Sequence, residues 1–363
     1  MKRVTSPLLL SLFAAVVVAA PGTAQSPSPA TAFAPLPEAV GFAPLGVTSI
    51  MFTDWAAAKA AHGYADITSA TPLDQRIRAM IDLGKVEAPF AGYAIDRFAT
   101  HAESWGWDTT DLDWEASFAV EGPPVAVLRF RDGFDLAPVI AHFDDRGFSS
   151  EVYGDATIRS HPMALSAAWI RDSDFGILNT AILDDGRTFV LSSGIDGVKA
   201  ALDARHVDSF RAAPAQVVAG ALGAPLSAGI DVGPDACAAY GPHLGPRGSD
   251  ANDALLAEVG PLRAWEAMGV GTFRDAAGMA AGRFAFEYGD PSDALSDLAG
   301  RAQVADQGIS LRTAQPYASS LFRLLTSDAD ANVLTLDMVP VDDRPQHFAQ
   351  AFVTRDLVFA TCG

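Results

Sequence analysis

The sequence predicts an α+β fold made of two related units of antiparallel sheet, each with helices packed on one face. Short apolar segments of strand length are joined by tight turns, most clearly at Asp184-Asp185-Gly186, and such a turn is a strong signal for an antiparallel hairpin. Amphipathic helical segments lie between the hairpins, and the same order of elements occurs twice along the chain. With 49% hydrophobic residues, the chain can bury a sizeable core.

A short internal repeat indicates the duplication. Trp114-Glu115-Ala116 recurs as Trp265-Glu266-Ala267, and each copy precedes a hairpin that ends in Arg-Phe. The strand Ser49–Thr53 corresponds to Ser227–Val232, and Ile177–Leu183 corresponds to Val333–Val339. Chance similarity between alanine-rich segments is the alternative, but the shared order and spacing favour duplication. The predicted units are residues 45–223 and 224–363.

Helices are predicted from apolar spacing and from capping residues. Thr71-Pro72 predicts the start of a helix that ends at Gly84, and its inward face is expected to carry Leu73, Ile77, Met80 and Ile81. In the second unit, Asp290 is the expected N-cap of a helix with Pro291 at its first position.

The N-terminal segment is typical of a secretory signal peptide, predicted to span residues 1–24. Lys2 and Arg3 precede an apolar run, Leu8–Ala20. An uncleaved anchor is the alternative, but a membrane span needs about 20 apolar residues. Residues 25–44, rich in Pro, Ala and Ser, are expected to form a linker. The protein is therefore expected to be secreted or extracytoplasmic (cell exterior or periplasm), soluble and not inserted in the membrane after signal cleavage.

Charge and cysteine content agree with export. The formal net charge is -19, which repels phosphate backbones and argues against nucleic-acid binding. The chain has two cysteines, Cys237 and Cys362. In an oxidising compartment an even number of cysteines predicts one disulfide between them, and free buried thiols are the alternative.

No local motif predicts a catalytic residue, a metal site or a cofactor. The seven histidines are scattered, with no pair four residues apart. Ser192-Ser193-Gly194 lacks the leading glycine of a hydrolase nucleophile turn. Asp328, Asp330 and Asn332 alternate as in half of a calcium loop, but the glycine and the final glutamate are missing.

A dense group of aromatic and acidic residues gives the predicted ligand-binding residues, Trp105, Trp107 and Asp108. Exposed tryptophans beside carboxylates suit the stacking of sugars or the binding of a partner. The alternative is that Trp107 and Trp114 anchor a loop and a strand to the core. Trp105 and Trp107 have no counterpart in the second unit, which favours the binding role for this pair.

The tandem pattern of strand, helix and Trp-bearing hairpin resembles uncharacterised exported bacterial proteins with repeated α+β units. That resemblance implies export and an α+β fold, and it implies no activity and no functional residue. The expected function is a non-catalytic binding protein of the cell exterior, with an apolar ligand, a glycan or an envelope protein as its partner. The alternatives are a structural or assembly factor of the cell envelope and a hydrolase whose triad is dispersed in sequence.

Overall fold

The computed structural model describes residues 34–363 except 88, 94–97, 163–174, 207–212, 242–248 and 276. The predicted signal peptide and residues 25–33 of the predicted linker lie outside the described residues. The helices of the described part are α1 Pro35–Val40, α2 Trp55–Ala61, α3 Leu73–Val86, α4 Phe98–Trp105, α5 Ala137–Asp145, α6 Ile195–Ala204, α7 Ala213–Leu222, α8 Ser249–Val259, α9 Pro291–Gln307, α10 Tyr317–Ser320 and α11 Gln346–Val353.

The strands of the described part form one twelve-stranded sheet in which every pairing is antiparallel. They are β1 Ser49–Asp54, β2 Leu112–Ala119, β3 Val125–Phe130, β4 Ser149–Tyr153, β5 Ala156–Ser160, β6 Asn179–Leu183, β7 Thr188–Ser192, β8 Ser227–Val232, β9 Ala267–Arg274, β10 Ala280–Glu287, β11 Phe322–Asp330 and β12 Val333–Pro340. The spatial order is β11-β12-β10-β9-β8-β1-β2-β3-β7-β6-β5-β4. The α+β class and the antiparallel sheet are confirmed.

The same strand order runs outward from the central pair β1/β8 in both directions. From β1 it is β1-β2-β3-β7-β6, and from β8 it is β8-β9-β10-β12-β11. Two of the residue matches differ from this order. The first is the match of Trp114 with Trp265. Trp114 lies opposite Asp54, the last residue of β1, whereas the residue opposite the last residue of β8 is Ala267 and not Trp265. The match of Ile177–Leu183, which contains β6, with β12 is also wrong. β12 pairs with β10, and the strand that takes the same place beside β3 is β7.

Helices cover both faces of the sheet rather than one. On β10, Ala285 packs in the cluster that contains α7, whereas its neighbours Phe284 and Phe286 pack in the cluster that contains α11. Successive strand residues point to opposite faces, so the two clusters lie on opposite sides. The first face carries α1, α6 and α7, and the second face carries the other helices. Strands buried on both sides, such as β6, require cover on both.

Part of the predicted linker belongs to the folded body. Residues Pro35–Val40 form α1, and its apolar positions Leu36, Ala39 and Val40 are buried. These residues pack on the first face against α7. The spacing of Leu36 and Val40 is helical, and this signal was hidden by the Pro- and Ala-rich composition.

The orientation of α3 also differs from the prediction. The helix buries Met80 and continues past Gly84, but Leu73, Ile77 and Ile81 are exposed. The reason is Arg76, which is turned inward and forms an ion pair with the fully buried Asp108. This buried pair sets the rotation of the helix, because leaving either charge unpaired in the interior would be costly.

The predicted disulfide between Cys237 and Cys362 is confirmed. The two Cα atoms are 5.5 Å apart, within the usual range for a disulfide. The bridge joins the turn after β8 to the C-terminal residues, 125 positions further along the chain. Among the described residues, no helix is both long and apolar enough to cross a membrane.

Candidate functional site

Trp105 and Trp107 lie in the core. Their exposed fractions are 1% and 0%, so the expectation that they present a face to solvent is wrong. Trp105 packs against Phe143, and the guanidinium of Arg146 lies over its ring at 4.5 Å. Trp107 packs edge-on against Phe130 at 5.2 Å. In this arrangement neither ring can stack on a ligand.

Asp108 has a structural role in the turn between α4 and β2. It is the N-cap of the short 3-10 turn Thr109–Asp111, and its carboxylate accepts a hydrogen bond from the Thr110 N–H at 2.7 Å. Its other oxygen pairs with Arg76. The carboxylate of Asp108 is therefore occupied by local capping and by Arg76.

An open cleft with a volume of about 690 Å³ lies on the second face. Its lining combines residues from the N-terminal and C-terminal halves of the sheet. We call it the polar cleft, because most of its lining side chains form hydrogen bonds. The polar and charged residues that line it are His62, Arg274, Asp343, Arg344, Gln346, His347 and Gln350. These residues lie far apart in the sequence, and the fold brings them together.

The ends of secondary-structure elements position the residues of the polar cleft. His62 is the C-cap of α2, and Arg274 is the last residue of β9. Asp343 lies between β12 and α11 in the left-handed backbone region, with φ of 59°. Its carboxylate accepts a hydrogen bond from the Ala280 N–H at 2.6 Å, which fixes this turn against β10. Gln350 extends from α11.

A buried ion pair fixes the base of the polar cleft. Glu87, at the end of α3, is buried and accepts a hydrogen bond from Arg274 Nε at 2.9 Å. The same carboxylate oxygen contacts His62 Nε2. Arg274 also donates to the Gly278 carbonyl at 3.0 Å, so its guanidinium is held from two sides. This arrangement gives the polar cleft a preorganised cationic group.

A second histidine–carboxylate pair is formed by His347, which lines the polar cleft, and Asp342. His347 Nε2 lies 2.9 Å from Asp342 Oδ1, and Asp342 also pairs with Arg344 at 3.2 Å. A histidine paired with a carboxylate can act as a general base, but no Ser, Thr or Cys is among the described residues that line the polar cleft. Among the described residues, no group of three His, Cys, Asp or Glu could hold a metal ion. The lining side chains of the polar cleft are groups that donate and accept hydrogen bonds.

A second, smaller cavity of about 200 Å³ lies on the same face over β1, β2 and β3. It contains the side chain of Glu115, which is 1% exposed. Both carboxylate oxygens lie 3.2 Å from the backbone N–H of Tyr93. Burial raises the pKa of Glu115 to about 7, while the Tyr93 N–H and the Trp55 side chain act in the opposite direction.

In the sequence, Glu115 stands out only as part of the repeated Trp-Glu-Ala segment. In β2, Trp114 and Ala116 alternate with Glu115 and Ser117, a pattern that predicts a solvent-facing polar side. In the structure, the stretch after α3 covers that side: Ala91 and Thr53 exchange hydrogen bonds, and Tyr93 bonds to Glu115. The apparent counterpart, Glu266, is exposed.

Comparisons with known proteins identify no family. No family model matches the sequence, and no curated protein matches it. Among solved structures, crystal form I of TP0453 is similar at 7% identity, covering 90% of this chain and 100% of that one, with a TM-score of 0.35. A score this low supports no conclusion about function.

Proposed function

We propose that this chain is an exported, non-catalytic binding protein and that the polar cleft is its ligand site. The observation that carries the proposal is the convergence of distant segments on one preorganised cavity. Its volume of about 690 Å³ is suitable for a small ligand. The buried pair of Glu87 and Arg274 joins α3 to β9 at the base, so this wall is held in place before a ligand arrives.

The lining favours a polar ligand over an apolar one. Guanidinium groups donate hydrogen bonds in a fixed plane, and carboxamides both donate and accept them. A glycan offers hydroxyl groups that donate and accept at many positions, so it fits best among the ligand classes considered. An apolar ligand would displace water from these groups without replacing its hydrogen bonds, which is costly.

Two observations support export. The N-terminal sequence is typical of a signal peptide, and the disulfide between Cys237 and Cys362 is of the kind that persists in oxidising compartments. Both agree with a protein that works outside the cytoplasm, where glycans and other envelope molecules are accessible.

The test uses protein purified from its own host. Native mass spectrometry would show any molecule that co-purifies, and the stripped protein would then be titrated with a panel of neutral and acidic oligosaccharides. Gln350→Ala removes a side chain of the polar cleft, and Gln307→Ala is the matched control, an exposed glutamine at the end of α9. We expect Gln350→Ala to weaken binding by roughly 2- to 10-fold, as expected for the loss of one hydrogen bond.

Three outcomes would overturn the proposal. A ligand whose affinity is the same in Gln350→Ala and Gln307→Ala would place the site elsewhere. A stoichiometric protein partner with no small ligand would favour an envelope assembly factor. Turnover of glycoside, ester or peptide substrates would show that the protein is an enzyme.

A further inference from the structure

The cavity around Glu115 has the composition of a cation site. We call it the Glu115 cavity; it is lined by Met51, Phe90, Tyr93, Glu115 and Ser117, together with small residues. Among the described residues that line it, Glu115 is the one carboxylic acid. Most of the remaining lining is apolar, aromatic or small. A carboxylate in such surroundings is poorly solvated and strongly favours a positive partner.

Glu115 differs from four other buried acids of this protein. Among the described residues, no Arg or Lys forms an ion pair with it, and the two groups that interact with its oxygens, the Tyr93 N–H and the Trp55 side chain, are neutral. Four other buried carboxylates each pair with an arginine, in the pairs Asp108–Arg76, Glu87–Arg274, Asp231–Arg355 and Asp297–Arg301. The described part of the chain supplies an arginine to each of those four acids and none to Glu115.

Aromatic rings complete the chemistry. The rings of Phe90 and Tyr93 belong to the same lining, and both are fixed by neighbouring rings: Phe90 packs edge-on against Phe352 at 5.6 Å, and Tyr93 stacks on Trp107 at 6.2 Å. Aromatic faces attract cations, and their combination with a carboxylate is suited to ammonium groups. We propose that the Glu115 cavity binds a small organic ammonium ion.

Size and coordination restrict the ligand class. A volume of about 200 Å³ admits a small alkylammonium ion but not a large polyamine or a peptide. A bare metal ion would need several oxygen ligands, and no group of three acids or histidines is available among the described residues. The net charge of -19 attracts cations to the protein surface in general. The site shares no lining residue with the polar cleft, so the two proposals are independent.

The test compares a cation with its neutral isostere. Choline and 3,3-dimethylbutan-1-ol have nearly the same shape and differ in charge, and tetramethylammonium is a second cationic probe. Each would be titrated by isothermal calorimetry at pH 8 into wild type, Glu115→Gln and Glu287→Gln. Glu287 is the matched control, a buried glutamate whose pKa is also raised to about 7, but which does not line this cavity.

We expect choline or tetramethylammonium to bind wild type and Glu287→Gln, and the affinity to fall by about tenfold or more in Glu115→Gln. Ala126→Leu, which fills the cavity and keeps the carboxylate, should also abolish binding. Equal affinity for the neutral isostere, unchanged binding in Glu115→Gln, or failure of both cations to bind folded wild type would overturn the proposal.

Discussion

Glu115 makes stability depend on pH in a direction opposite to that of an ion-paired carboxylate. Burial raises its pKa to about 7 in the folded protein, compared with 4.5 for an ordinary glutamate. The folded state therefore holds the proton more tightly than the unfolded state, and the free energy of unfolding falls as pH rises from about 4.5 to about 7. The full rise in pKa corresponds to about 3.4 kcal/mol at about 1.4 kcal/mol per pH unit. About 2.5 kcal/mol of this is lost between pH 5 and pH 8, because the carboxyl is already largely ionised in the unfolded state at pH 5.

Glu115→Gln keeps the shape of the side chain and an acceptor for the Tyr93 N–H, but it cannot ionise. Urea unfolding at pH 5 and pH 8, without added amines, should show the variant gaining about 2.5 kcal/mol on wild type between the two pH values. Glu103→Gln, an exposed glutamate on α4, should show no such gain. If the stability difference between Glu115→Gln and wild type is the same at both pH values, the burial of an ionisable carboxyl here is refuted.

Three further predictions concern the core, the bridge and the N-terminus. Trp105→Ala and Trp107→Ala should each lower the free energy of unfolding by about 3 to 5 kcal/mol, as much as Trp114→Ala, because all three rings are buried; a cost below about 1 kcal/mol in a urea melt would contradict their core position. Reducing the disulfide should cost about 5 kcal/mol on the chain-entropy account of a loop of 125 residues, and equal melts with and without reductant would argue against it. The exported protein should begin at Gln25, which a measurement of its intact mass would show, and a species that retains the first 24 residues would contradict cleavage.

Features with local signals were predictable from the sequence. The hairpin turn at Asp184-Asp185-Gly186 lies between β6 and β7 as expected, and Asp290 caps α9 with Pro291 at its first position. The pairing of Cys237 with Cys362 was predictable because the chain has two cysteines and its N-terminal sequence is typical of export. These signals depend on neighbours in sequence or on residue counts, so tertiary structure is not needed to interpret them.

Features that depend on packing between distant segments were not predictable. Arg76 turns inward because Asp108 is buried 32 positions away, and this rotates α3 so that Met80 stays buried while Leu73, Ile77 and Ile81 are exposed. Glu87 and Arg274 are separated by 187 positions, so the base of the polar cleft leaves no local pattern. Glu115 lies on β2, whose alternating apolar and polar residues predict that Glu115 faces solvent. In the structure, the stretch after α3 covers it.

The most direct test of the central claim is a crystal structure of the protein purified from its own host, with any co-purifying molecule retained. The account predicts ligand density in the polar cleft, within hydrogen-bond distance of Arg344, His347 or Gln350. Ligand density on another surface, with only ordered water in the polar cleft, would contradict it.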